Sequence, residues 1–179
     1  MLRRILSYGV AAGLIVGVPL FCLAIAMNGQ PPPSYGAVLG YLIMLVALGT
    51  IILAIKRHRD RDLGGIIAFW PAFGLGLGIS IIASIFYVLA WEAVLAVTQA
   101  DFAGGYAETL IAQQKAKGVS GEALAKFSAD MEKFRADYAN PFYRTAMTFT
   151  EIFPVGVLVS LISAGVLRKS RVTGAKLRR

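Results

Sequence analysis

Long apolar runs separated by short charged clusters set the pattern of this chain. Four runs qualify as membrane spans: Ile5 to Met27, Tyr35 to Ile55, Ile66 to about Val97, and Thr145 to Leu167. A helix of about 20 apolar residues crosses about 30 Å of hydrocarbon. In lipid the backbone must satisfy its own hydrogen bonds, so such runs read as helices. The third run overshoots a bilayer, and Pro71 suits the first turn of a helix, so that span is placed from about residue 70 and Ile66 to Phe69 are assigned to the interface. The expectation is an all-α fold, a four-helix transmembrane bundle forming a single membrane domain over residues 1–179, with spans at about 5–27, 35–55, 70–97 and 144–167.

Between residues 100 and 143 the pattern changes to polar residues and helix formers, interrupted at Gly118-Val119-Ser120-Gly121. Two helices are predicted there. In the second, Leu124, Phe127, Met131, Phe134 and Tyr138 recur at alternating intervals of three and four, which makes a narrow apolar seam. The segment is therefore a helical hairpin between the third and fourth spans, expected to pack over the span ends.

Small residues mark the packing faces. Gly9, Gly13 and Gly17 form a ladder on the first span that allows another backbone to approach closely, and Pro19 is expected to kink the helix beyond it. Gln30-Pro31-Pro32-Pro33 reverses the chain, so the first two spans are expected to pair as a hairpin. The face of Gly36, Gly40, Ala47 and Ala54 is the natural partner of the ladder. On the third span Gly74, Gly78, Ile81, Ile85 and Glu92 share a face that is expected to point inward. Gly156, Ser160 and Ser163 line the fourth span on another side from Glu151, so that helix either sits centrally or uses one side for self-association.

Charge adds an orientation. Arg3 and Arg4, then Lys56, Arg57, Arg59 and Arg61, then the tail of residues 168–179 with Arg168, Lys169, Arg171, Lys176, Arg178 and Arg179, all fall on one side of a four-pass chain. The positive-inside rule makes that side, with both termini, cytoplasmic. The hairpin is then extracytoplasmic, and its five basic residues are balanced by six acids. A net charge of +8 would suggest nucleic acid in a soluble protein, but basic residues at helix ends are accounted for by topology and by anionic lipid, so no nucleic-acid partner is expected. An N-terminal signal peptide is the competing reading, because Leu2-Arg3-Arg4 and Ala24-Ile25-Ala26 frame an apolar stretch. That stretch exceeds the ~7–15 residues of a signal core.

Candidate chemistry is sparse. A single cysteine, Cys22, and a single histidine, His58, exclude the usual zinc constellations and an internal disulfide. His58 among arginines is expected to be solvated. The chain has no P-loop, no H-E-x-x-H and no legible nucleophile and base, so neither a cofactor nor an enzymatic activity is expected. Glu151 stands out, since a carboxylate within the hydrocarbon zone is costly unless paired, hydrated or protonated. Pro154 leaves the Thr150 carbonyl without its helical donor, so Thr148, Glu151 and that carbonyl form a polar spot. The functional reading is a proton or cation site; the structural one is a carboxyl that fastens the helices, with Arg144 bridging to Glu92 or to Glu151. Tyr35, Tyr41, Tyr87, Trp91 and Tyr143 at one interface, and Tyr8 and Trp70 at the other, read as aromatic belts.

Lys56-Arg57-His58-Arg59-Asp60 followed by Leu63-Gly64-Gly65 and Phe69, then the helical loop, then Glu151-Ile152-Phe153-Pro154-Val155-Gly156, resemble the bacterial membrane proteins grouped as domain of unknown function 4199. The resemblance covers nearly the whole chain. Where this chain has Trp70-Pro71 relatives often carry a Gly-Lys pair, so any role of that lysine does not carry over. The resemblance implies a small bacterial inner-membrane protein and brings no activity, ligand or catalytic residue. Two function classes follow. One is a non-enzymatic membrane component binding a protein or lipid partner through the hairpin or the small-residue faces. The other is a small homo-oligomeric proton- or cation-coupled transporter or channel using Glu151.

Overall fold

The computed structural model describes residues 1–27, 36–99 and 101–168, and every element it contains there is helical. The Gln30 to Pro33 turn, Tyr35 and the basic tail from Lys169 onward lie outside the described residues. Helix α1 spans Leu2–Ala26, α2 Gly36–Leu48, α3 Thr50–Asp62, α4 Phe69–Thr98, α5 Phe102–Ala116, α6 Gly121–Tyr138 and α7 Pro141–Leu167. Four helical stretches are long and apolar enough to cross a membrane: Leu2–Ala26, Val38–Asp62, Phe69–Thr98 and Pro141–Leu167.

The second of these is α2 and α3 end to end. They meet at Gly49, which keeps helical dihedrals, while Thr50 turns its hydroxyl back to the Ala47 carbonyl at 2.7 Å. The Lys56 to Asp62 segment, beyond the expected end of the second span near residue 55, continues this helix. Pro71 lies in the first turn of α4, where its missing N–H has no helical acceptor to lose. Asn140 caps α7 by accepting from the Phe142 amide at 3.0 Å, and Pro141 occupies the first helical position. Helix α7 runs through Pro154 without interruption.

Helix α4 is central, with α1 on one side and α7 on the other, and α3 touches all three. Val16, Leu48, Ile51, Ile55, Leu75, Ile79 and Ile152 are fully buried between them. Large apolar side chains such as Leu14, Val46, Leu89 and Ile162 cover the outward faces, as lipid contact demands.

The glycine ladder of α1 faces α4, which corrects the pairing with α2. A methyl built on Gly9 would meet Ile82, on Gly13 Phe86, and on Gly17 Ala90. Around Gly40 nothing lies within 4 Å, so α2 does not supply the facing groove. On α4, Gly78 receives Ile5 and Gly74 lies near Met1, both on the α1 side, whereas Ile81 and Ile85 are exposed and Glu92 turns to α7. The predicted single inward face of α4 therefore splits three ways. The reason is that 3- and 4-residue steps drift around a long helix, and α4 has neighbours on opposite sides.

Between α4 and α7 the approach is reciprocal: Gly156 receives Ser80, and Gly76 receives Ser160. Both serines are buried and donate to carbonyls of their own helices, Ser80 to Gly76 at 3.0 Å and Ser160 to Gly156 at 2.7 Å, with 3.3 Å between the two hydroxyls. Back-bonded hydroxyls leave no unpaired donor in the apolar seam.

At the basic end one cluster ties three helices. Arg4 donates to both Asp62 oxygens at 2.5 and 2.6 Å, Arg57 donates to the Tyr8 hydroxyl at 2.9 Å, and Arg59 reaches the last carbonyl of α7, Leu167, at 3.3 Å. His58 is buried rather than solvated, with Nδ1 2.7 Å from Asp62. The continuation of α3 to residue 62 brings Asp62 one turn from the ring.

Candidate functional site

The polar residues singled out in the spans gather at the opposite end, where the hairpin is rooted. Arg144, in the first turn of α7, grips Glu92 of α4 through Nε to Oε1 at 2.7 Å and Nη2 to Oε2 at 2.5 Å. Both side chains are largely covered, at 17% and 30% exposure. A two-pronged pair of this kind has strong orientational preference and fixes α7 against α4. The guanidinium also lies over the Tyr138 ring at 5.9 Å. Of the two bridges open to Arg144, the one to Glu92 forms.

Glu151 lies seven residues further along α7, about 10 Å deeper along the helix. It accepts a hydrogen bond from the Tyr87 hydroxyl of α4 at 3.1 Å. Thr148, buried one turn above, spends its hydroxyl on the Arg144 carbonyl at 2.9 Å and so offers Glu151 no donor. Pro154 is exposed and lies outside the cavity wall.

Glu151, Thr148, Thr150 and Met147 of α7, Tyr87 and Trp91 of α4, and Gly36, Gly40, Tyr41 and Met44 of α2 wall a cavity of about 570 Å³. Its roof is the base of the hairpin, with Phe102 and Tyr106 of α5 and Phe134 and Tyr138 of α6. These rings form one aromatic cluster. Trp91 meets Phe102 edge to face at 4.8 Å, Phe102 stacks on Tyr106 at 5.9 Å, and Phe134 leans on Tyr138 at 5.5 Å. Trp91 Nε1 donates to the Tyr138 hydroxyl at 2.7 Å. Burial raises the Tyr138 phenol above its ordinary range, so it stays neutral and remains a hydrogen-bonding group.

A second hollow of about 520 Å³ lies beside the first and is more polar, bounded by the Arg144–Glu92 pair and by Asp101, Arg135 and Gln99. Asp101 caps α5 through the Gly104 amide at 2.9 Å and pairs with Arg135 of α6 at 2.5 Å. One carboxylate thus closes the hairpin at its base. Above that base, none of residues 108–137 is buried, so the hairpin stands on the span ends instead of lying over them.

By sequence Glu92 lies on the inward face of its span, and Thr148 and Glu151 form a polar spot within reach of Arg144; the structure brings all four to one end of α4 and α7, with Thr148 buried and Glu151 exposed. It separates them into a closed pair, Arg144 with Glu92, and an open acid, Glu151. By sequence Tyr87 and Trp91 are belt residues, and Phe134 and Tyr138 are seam residues. Their shared cavity was missed, although Tyr87 and Trp91 are one helical turn apart and so point the same way. Among the described residues no group of three or more His, Cys, Asp or Glu side chains could hold a metal ion.

A family model described as protein of unknown function DUF4199 matches residues 7–169. No curated protein and no solved structure matches the chain. A match that runs through all four apolar helices, the hairpin and the Glu151 cavity makes this chain a member of the DUF4199 family.

Proposed function

We propose that the protein is a non-enzymatic membrane component that takes a lipid-class amphipathic molecule into the cavity between α2, α4 and α7. The observation that carries this reading is the cavity itself: about 570 Å³, walled by aromatic and apolar side chains, with Glu151 as its one acid. That size and lining are what organic ligand sites use. Gly36 and Gly40 add no side chain to the α2 wall beside Tyr41 and Met44, which supports entry from the surrounding lipid. The small-residue faces of α1, α4 and α7 are filled by one another, whereas the Gly40 face of α2 is open to the cavity, so the hairpin is the surface that a protein partner or a second copy would use.

On this reading the protein lies in a bacterial cytoplasmic membrane with both termini inside and the hairpin outside, supported by the gathering of Arg4, Arg57 and Arg59 at the end opposite Arg144. The basic tail is assigned to anionic lipid, not nucleic acid. The full chain extracted in mild detergent is expected to keep an amphipathic adduct in native mass spectrometry, and Gly40→Leu, which adds a side chain to the cavity wall, should reduce it. An adduct pattern unaltered in a folded Gly40→Leu protein would defeat the proposal.

Proton- or cation-coupled transport is the second reading, favoured by Glu151 facing a cavity and not Arg144. Below Glu151, however, Ile152, Ile79 and Ser160 are fully buried, and Gly156 and Gly76 admit no added methyl. That packing supports binding over conduction through one chain. Loss of proton flux from liposomes in Glu151→Gln would reverse the preference.

A further inference from the structure

We infer that the molecule held in this cavity carries an organic ammonium group, seated between the Glu151 carboxylate and the aromatic wall. The inference rests on the cavity-binding reading and adds the charge and class of the ligand's head.

Three observations converge on a cation. First, the strong cations near the cavity already have partners: Arg144 is held by Glu92 through two bonds, and Arg135 by Asp101. Glu151 has the Tyr87 hydroxyl and, among the described residues, no cation within ion-pair distance. Residues 28–35, which lead into α2, contain no Lys or Arg to supply one. Glu151 is exposed at the open side of the cavity, and a carboxylate at hydrocarbon depth draws in a countercharge from outside when the chain offers none.

Second, Tyr41, Tyr87 and Trp91 line the walls, and the hairpin aromatics close the roof. Ring faces attract cations, and quaternary or alkylated ammonium groups are the ones that aromatic enclosures favour, because their weak hydration is readily given up. Third, the alternative cations fit poorly. An inorganic ion needs several converging oxygens, usually from more than one carboxylate, and Glu151 is the one carboxylate among the lining residues. The volume also far exceeds what a bare ion fills. An ammonium with alkyl substituents uses the acid, the rings and the apolar wall together. Such a group can come from a bilayer lipid with an amine head or from a free alkylammonium compound.

The test uses the full chain in nanodiscs of phosphatidylglycerol, with Trp70→Phe so that Trp91 fluorescence reports the cavity. Dodecyltrimethylammonium is titrated against its uncharged analogue, in which a carbon replaces the nitrogen. The cation should bind about tenfold tighter than the neutral analogue, and Glu151→Gln should erase that preference. Glu151→Asp, which keeps the charge, should retain most of it. Replacing part of the phosphatidylglycerol by phosphatidylethanolamine separates the sources: competition supports a lipid amine, and undiminished binding supports a free alkylammonium. If both compounds bind equally and Glu151→Gln changes neither, the ammonium inference is overturned while cavity binding stands. If neither saturates, the cavity reading fails and this inference with it.

Discussion

Two glycines that look alike along the chain should respond with opposite sign to one added methyl group. In Gly13→Ala the new Cβ would stand 2.5 Å from both Cβ and Cγ of Phe86, where ordinary contact begins near 3.4 Å. Those atoms are close to the α4 backbone and cannot swing away, so α1 must retreat by about 1 Å along its seam, an overpacking cost of about 1–3 kcal/mol. Alanine's helix preference returns up to about 1 kcal/mol, which leaves a net destabilisation of about 1 kcal/mol at the middle of that range. In Gly40→Ala the Cβ meets nothing within 4 Å, so only the propensity term acts and the protein gains about 0.5–1 kcal/mol. The two variants should differ by about 2 kcal/mol, roughly thirtyfold in the folding equilibrium. Reversible unfolding in mixed micelles by titration with dodecyl sulfate, followed by circular dichroism, resolves that gap. Equal losses in both variants would mean that α1 packs on α2, and the arrangement around α4 would have to be abandoned.

Further outcomes follow from the other contacts. Glu92→Gln strands the covered Arg144 guanidinium and should cost about 1–3 kcal/mol, discounted from a fully buried pair for its partial exposure; a Glu92→Leu, Arg144→Leu double variant should recover much of that loss in the same titration. Tyr138→Phe leaves Trp91 Nε1 without its acceptor, so about 1–3 kcal/mol should be lost and the Trp91 emission should shift. Asp62→Asn weakens the clasp between α1 and α3, and amide exchange should accelerate in the first turn of α1 and the last turn of α3 while α4 stays protected. Exchange confined to other segments would contradict the placement of that clasp. Ser120→Ala, at the exposed tip between α5 and α6, should leave stability unaltered because Ser120 caps α6 without a side-chain hydrogen bond.

Much of this architecture is legible in residue order because the bilayer narrows the choices. A run such as Val38 to Ile55 has no option in hydrocarbon but to satisfy its backbone as a helix, and Asn140-Pro141 carries its own start signal. Helix existence is therefore local. Contact partners are not local. The ladder of Gly9, Gly13 and Gly17 announces that some backbone comes close, but α2 and α4 both present small residues, and the choice of α4 depends on Phe86 and Ala90 lying at the right heights. His58 illustrates the division within one residue: its pairing with Asp62 is an i,i+4 contact that follows once α3 continues to residue 62, whereas its burial is decided by the packing of the bundle.

The polar site divides in the same way. Intramembrane depth made Glu151, Glu92 and Arg144 conspicuous by sequence alone, since charge in hydrocarbon is costly wherever it falls. Which carboxylate Arg144 would take was a matter of reach. Glu92, near the end of α4, lies level with the first turn of α7, and Glu151 is two turns deeper, where Tyr87 meets it instead. The aromatic roof depended on the hairpin folding back so that Phe102, Phe134 and Tyr138 surround Trp91, a contact between segments up to 47 residues apart. Apolar periodicity and proline positions thus determined the helices and the helical hairpin, because those signals act within a turn or two of the chain. The side-by-side order of the helices, the pairing of Arg144 with Glu92 and the opening of Glu151 onto a cavity were decided by tertiary packing, because they depend on distances between residues that the local chain does not control.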